Sequence, residues 1–180
     1  LVGSWADRQD VTVYHIVGRR DWPELSARAG ALALDPALYR PVQYEDRMPT
    51  LYAAADLAVC RAGATSVAEL TVVGLPAILV PLPGAPGDHQ TANARWLAGA
   101  GAAVSVADGD CTAVRLAAEI DDLLTDRDRL AEMSRRARLV GRPGAAEEVA
   151  ALVEAHARPR DARPRRARPR RPPQADGGRR

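Results

Sequence analysis

Two strand-to-helix junctions lie close together in this chain, and they limit the folds open to it more than any other feature. Residues 59–70, VCRAGATSVAEL, read as a buried strand, a glycine-bearing turn and a helix. Residues 74–94, GLPAILVPLPGAPGDHQTANA, repeat the plan with an apolar strand (Ala77 to Val80), a Pro/Gly loop, the polar cluster Asp88-His89-Gln90 and another helix. Adjacent junctions ending in small or polar residues are how a parallel α/β sheet builds a nucleotide pocket.

The rest of the chain continues the alternation. Strands are expected at Val11–Val17, Pro41–Glu45, Asp56–Cys60, Ala77–Val80 and Ala103–Val106. Between and after them, helices are expected at Trp22–Ala29 (with Asp21 as N-cap), Met48–Ala55, Thr65–Val73, Gln90–Ala100, Thr112–Leu124, Asp126–Val140 and Ala145–Ala155. In the helix from Thr112, residues Val114, Leu116, Ala117, Ile120, Leu123 and Leu124 recur near helical spacing and predict a buried stripe. Strands that are apolar throughout, rather than alternating, fit a parallel sheet covered on both faces. The fold class is therefore α/β, with a Rossmann-like parallel sheet.

Charge separates the chain into a domain over residues 1–156 and a tail over 157–180. The tail carries 10 Arg against 2 Asp, a net of +8, whereas the preceding residues hold 15 Arg against 21 acidic residues, a net of −6. Rich in Arg and Pro and without apolar residues to bury, the tail is expected to be disordered, with anionic lipid head groups as a candidate contact. The acidic domain offers no charge argument for nucleic acid. No apolar run approaches the roughly 18 residues of a membrane span. The chain opens on Leu1 without a leader segment and reads as part of something longer. Cys60 and Cys111 are not spaced as a metal or redox motif, and Cys60, closing an apolar strand, reads as a small buried thiol. His15 reads as a satisfied strand imidazole, and Trp5, Trp22 and Trp96 as packing residues.

Chemistry concentrates at the two junctions. Gly63 and the alanines beside it admit a ligand close to the backbone. The amides of Ala64, Thr65 and Ser66 would point from a helix start toward an anion, with the Thr65 and Ser66 hydroxyls as further donors. Glu69, about a turn further in, could accept hydrogen bonds from vicinal ribose hydroxyls. A plainer reading makes Thr65 or Ser66 an N-cap and Glu69 a favourable first-turn acid. At the second junction Gln90 and Asn93 share a helix face, and their amides both donate and accept, as sugar hydroxyls require. Asp88 is a candidate cap, and His89 an acid–base group or, more simply, a polar lining residue.

Residues 44–106, and above all the block CRAGATSVAE with the downstream DHQTANA, resemble the C-terminal domain of the MurG family. These enzymes transfer N-acetylglucosamine from UDP-GlcNAc to undecaprenyl-pyrophosphoryl-MurNAc-pentapeptide, converting lipid I to lipid II for peptidoglycan. The loop GAPGDHQ and the composition resemble actinobacterial members. The resemblance implies the C-terminal half of a two-domain GT-B enzyme, inverting and independent of metals and cofactors. It implies that Ala64, Thr65, Ser66, Val67, Ala68 and Glu69 hold the diphosphate and ribose of the donor, and that Gln90, with Asn93 and His89 nearby, meets the sugar. It puts the backbone around Glu45 beside uracil, through main-chain contacts only, because the family usually carries an apolar residue there. The acceptor site and the general base belong to an N-terminal domain that these 180 residues do not carry. The implied location is the cytoplasmic face of the cell membrane, held peripherally. Two alternatives stand beside this reading: another UDP-sugar-dependent GT-B transferase with a lipid or natural-product acceptor, and a non-catalytic nucleotide-sugar-binding module.

Overall fold

A computed structural model describes residues 1–157, and the basic tail lies outside the described residues. The chain divides into two compact units, one spanning Leu1–Pro143 and one beginning at Gly144. In the first unit, strands β1 (Val13–Ile16), β2 (Tyr39–Val42), β3 (Ala58–Cys60), β4 (Ala77–Leu79) and β5 (Ala103–Ser105) are all parallel to their neighbours. Helices α1 (Trp22–Leu32), α2 (Met48–Ala54), α3 (Ala64–Val73), α4 (His89–Gly99), α5 (Ala113–Thr125) and α6 (Arg127–Val140) connect or follow them. The second unit is α7 (Ala145–His156), whose Val149, Leu152 and Val153 are exposed.

The five strands form two sheets rather than one. β1 pairs with β2, and β3, β4 and β5 form a three-stranded sheet in that order. An apolar strand announces its own burial, but nothing in its composition says which edge it will pair with. Val59, in the middle of β3, is left 43% exposed, although the strand reads as buried.

β4 is the axis of the core, with Ala77, Ile78 and Leu79 all at 0% exposure. Successive side chains of a strand point to opposite faces, and both faces of β4 are covered. Ala77 and Leu79 join Val67, Leu70, Ala94 and Leu97 from α3 and α4. Ile78 and Val80 join Ile120, Leu123, Leu130 and Met133 from α5 and α6. Val114 departs from the expected stripe: in the first turn of α5, it is 82% exposed, and the buried positions are Ile120 and Leu123. Thr112 and Asp126 cap α5 and α6 by accepting from the amides of Arg115 and Arg129. Asp21 stands at the N-cap position of α1 but makes no capping bond, because Arg20 takes its carboxylate at 2.8 Å. Trp5 is buried as expected, whereas Trp96 is half exposed. His15 is satisfied by the Tyr39 hydroxyl at 2.8 Å, and burial pushes its pKa down.

Helix α6 seals the C-terminus of α3, the helix that carries most of the candidate site. Ser134 donates to the Gly74 carbonyl at 2.6 Å and Arg138 to the Val73 carbonyl at 3.3 Å. Gly141 ends α6 in an extended conformation rather than the left-handed one. Its requirement for glycine is spatial, since a Cβ there would stand 2.6 Å from the Thr71 carbonyl oxygen. Gly141→Ala must therefore separate α6 from the backbone of α3, and a loss of about 1–3 kcal/mol is expected, the usual scale for overpacking. Urea denaturation monitored by circular dichroism reads this directly, and an unchanged midpoint would show that the two helices slide apart without cost.

Candidate functional site

The candidate residues on the three-stranded sheet gather beyond the carboxyl ends of its strands, where α/β sheets bind ligands. After β3 the chain passes Arg61, Ala62 and Gly63 and enters α3, with Gly63 at the N-cap. Glycine offers no side chain to bond the first amides. The first amide of α3 to find a backbone acceptor is that of Val67, which donates to Gly63 at 3.0 Å. The amides of Ala64, Thr65 and Ser66 precede it and, among the described residues, have no acceptor outside the helix, as the first donors of a helix do. Thr65 and Ser66 thus lie inside the first turn and cap nothing. Val67 is the member of the run that faces inward, 5% exposed in the core, with its amide already used. Ala68 is exposed, and its carbonyl accepts from the Thr71 hydroxyl at 2.7 Å.

Glu69 is exposed in the second turn, so it is not the first-turn acid considered from the sequence. Its Oε2 accepts a hydrogen bond from the hydroxyl of Tyr52 on α2 at 2.9 Å.

The second junction is built against the first. The loop after β4 turns through Gly84 and Gly87, both at positive φ, into a short 3-10 turn over Pro86–Asp88 and then α4. Asp88 takes a left-handed conformation (φ 51°), which Asp tolerates better than most residues. It stands at the N-cap of α4, but its carboxylate accepts from the Thr91 hydroxyl at 2.6 Å and bonds no backbone amide. His89 is exposed, and its Nδ1 meets the Pro86 carbonyl at 2.7 Å. Because a carbonyl only accepts, Nδ1 carries the proton and Nε2 is the outward nitrogen.

Gln90 and Asn93 share a face of α4, as their spacing predicts, and each ties down one junction. Gln90 Oε1 accepts from the Leu82 amide at 3.0 Å, holding the loop after β4. Asn93 Nδ2 donates to the Ala62 carbonyl at 3.0 Å, holding the turn before α3. The other half of each side-chain amide, the Gln90 NH2 and the Asn93 Oδ1, makes no hydrogen bond among the described residues.

Glu45 lies apart from this group, beyond the carboxyl ends of β1 and β2. Its side chain accepts from the Tyr14 hydroxyl at 2.6 Å and the Arg47 amide at 2.7 Å. These bonds hold its carboxyl below the usual carboxylate range.

Sequence reasoning singled out no role for Arg61. Its Nη1 donates to the carbonyls of Val80 and Pro81, each at 3.2 Å, and pairs with Asp108 Oδ1 at 2.5 Å. One guanidinium thereby joins the segments after β3, β4 and β5. The only available signal was an arginine directly after an apolar strand, and its partners, 19 to 47 residues away, follow no spacing rule. Cys60, just before it, is half-buried, and burial pushes its thiol up to about 11, so it stays protonated at neutral pH.

Residues 2–149 match the family model of the glycosyltransferase family 28 C-terminal domain. The UDP-N-acetylglucosamine--N-acetylmuramyl-(pentapeptide) pyrophosphoryl-undecaprenol N-acetylglucosamine transferase of Alkalilimnicola ehrlichii is 57% identical over 104 residues, 58% of this chain and 29% of that protein. The transferase of the same name from an Anaeromyxobacter species is 45% identical over 143 residues, 79% of this chain and 37% of that protein. Among solved structures, Acinetobacter baumannii MurG superposes with a TM-score of 0.68 at 32% identity, covering 80% of this chain and 43% of that one. The glycosyltransferase VinC, solved with dTDP, shares the fold at a TM-score of 0.60 and 17% identity, over 86% of this chain and 37% of that one. The chain thus spans less than half the length of these relatives.

Proposed function

The chain belongs to the glycosyltransferase family 28 C-terminal domains, and from that premise we propose that it is the donor-binding part of the N-acetylglucosaminyltransferase that converts lipid I to lipid II. The observation that carries the reading is the start of α3: free amides at Ala64, Thr65 and Ser66 behind a capless Gly63, with Glu69 further along the same helix. Amides at a helix start suit the two phosphates of UDP-GlcNAc, since the backbone dipoles favour negative charge there. Glu69 accepts from the ribose hydroxyls, and Ala68 lines the approach between phosphate and ribose. Val67, turned into the core, contributes by fixing the helix in place. The Gln90 NH2 and Asn93 Oδ1 address the sugar hydroxyls, with His89 Nε2 at the rim, and the main chain at Glu45 borders the uracil.

In this reading the chain's residues act on the leaving group. As the bond from the anomeric carbon to the UDP oxygen breaks, charge grows on the diphosphate, and fixed amide dipoles stabilise it more than they stabilised the bound ground state. The muramyl 4-hydroxyl attacks from the opposite face and inverts the anomeric centre. Its proton goes to a base on the acceptor side, supplied by the part of the relatives that lies beyond this chain's match. The acceptor is membrane-linked, which places the enzyme peripherally at the cytoplasmic face, and the basic tail suits anionic head groups there. No helix among the described residues is long and apolar enough to cross a membrane.

Calorimetry on the 180-residue chain tests the donor site. UDP and UDP-GlcNAc are expected to bind with similar affinity, most of it from the nucleotide, and free GlcNAc far more weakly. Equal affinity for UDP-GlcNAc and free GlcNAc would remove the nucleotide reading.

A further inference from the structure

Glu69 is an exposed carboxylate on a helix, and such a side chain samples several rotamers unless something holds it. Here something does. The ring of Tyr52 packs against the core cluster that contains Val67, Leu70 and Leu79, and its hydroxyl emerges to bond Glu69 Oε2 at 2.9 Å. Tyr52 comes from α2 and Glu69 from α3, so the bond anchors the carboxylate to a different element from the one that carries it. Among the described residues Glu69 Oε1 has no hydrogen-bond partner.

Resting on the nucleotide reading above, we infer that Tyr52 is a positioning residue for the ribose, holding Glu69 in the one rotamer that faces the vicinal hydroxyls. An ionised carboxylate has about four acceptor sites. The tyrosine occupies one on Oε2, and the remaining sites accommodate the 2′- and 3′-hydroxyls together. The bond therefore persists when the nucleotide binds. Burial and the neighbouring carboxylate both raise the Tyr52 pKa, so the hydroxyl remains a donor throughout the working pH range. Immobilising a side chain before binding spares the complex an ordering cost equivalent to about 2- to 10-fold in affinity.

The test compares UDP with 2′-deoxy-UDP by calorimetry on the 180-residue chain and on Tyr52→Phe, which keeps the ring and removes only the hydroxyl. Tyr52→Phe is expected to weaken UDP by about 2- to 10-fold, to weaken 2′-deoxy-UDP less, and so to narrow the preference for ribose. In a Glu69→Ala background the same change is expected to alter neither affinity, because Tyr52 acts only through Glu69. Equal weakening of both nucleotides, or the same loss without Glu69, would overturn the assignment. Tyr52→Leu separates ring from hydroxyl: a loss there with none in Tyr52→Phe would assign the effect to packing and overturn it too. If the unmodified chain binds neither nucleotide, the donor reading itself fails and takes the positioning role with it. Binding of UDP by the unmodified chain with an unchanged ribose preference in Tyr52→Phe removes the positioning role alone.

Discussion

The 180-residue chain, purified alone and given UDP-GlcNAc and lipid I, is expected to form no lipid II. A general base must come within about 3 Å of the acceptor hydroxyl. Three titratable groups near the candidate site already hold partners within the chain. Glu69 is bonded to Tyr52, Asp88 accepts from Thr91, and His89 Nδ1 is held by Pro86. Supplying the additional length found in the relatives is expected to restore turnover, read as radiolabelled lipid II. Deleting residues 158–180 from the restored enzyme should leave activity largely intact in detergent and reduce it on anionic vesicles. Lipid II formed by the chain alone and abolished by His89→Ala would instead make His89 Nε2 the base.

The second large effect is expected at Glu69. Glu69→Ala should weaken UDP binding by about 1.5–3 kcal/mol, the scale for lost hydrogen bonds to a charged group. The fold should barely register the change. Glu69 sits in the second turn of α3, beyond the first turn where an acid gains from the helix dipole. Its deletion costs only the bond from Tyr52. Calorimetry for binding and thermal unfolding for stability separate the two quantities. A variant that melts early yet binds UDP normally when folded would return Glu69 to a structural role.

Much of this architecture is legible in the order of residues, and the reasons differ by element. Strand β4 is apolar at every position because both its faces are covered, which distinguishes it from an alternating surface strand. Gln90 and Asn93 stand three residues apart on α4, and periodicity alone predicts their shared face. The same local logic overreached at Asp21, where a neighbouring arginine outcompetes the helix for the carboxylate, and at Val114, where the helix starts before its buried stripe begins. It was silent on the division into two sheets, because edge pairing is a relation between distant segments. It was equally silent on Tyr52 and Arg61. Each is an unremarkable residue of its own element, and each acquires meaning from a partner that only the folded chain brings near. At Gly63, by contrast, the local signal carried straight through to the geometry: glycine stands at the N-cap with no side chain to cap the helix, and Val67 is the first amide to bond back to the turn.

The strap made by Arg61 has a consequence for how such a site can diversify. Its two contacts with the loop after β4 are to main-chain oxygens, at Val80 and Pro81. Every amino acid has that atom, so the grip is indifferent to what the loop spells. The exposed side chains at 82, 83 and 86 can be exchanged while the points from which the loop departs stay where the guanidinium holds them, provided Gly84 and Gly87 keep their positive φ and Ala85 its buried place. The Asp108 end of the strap has no such freedom, because there the partner is a side chain. Loops exchanged between residues 82 and 88 should therefore keep glycine at 84 and 87, with position 108 left untouched.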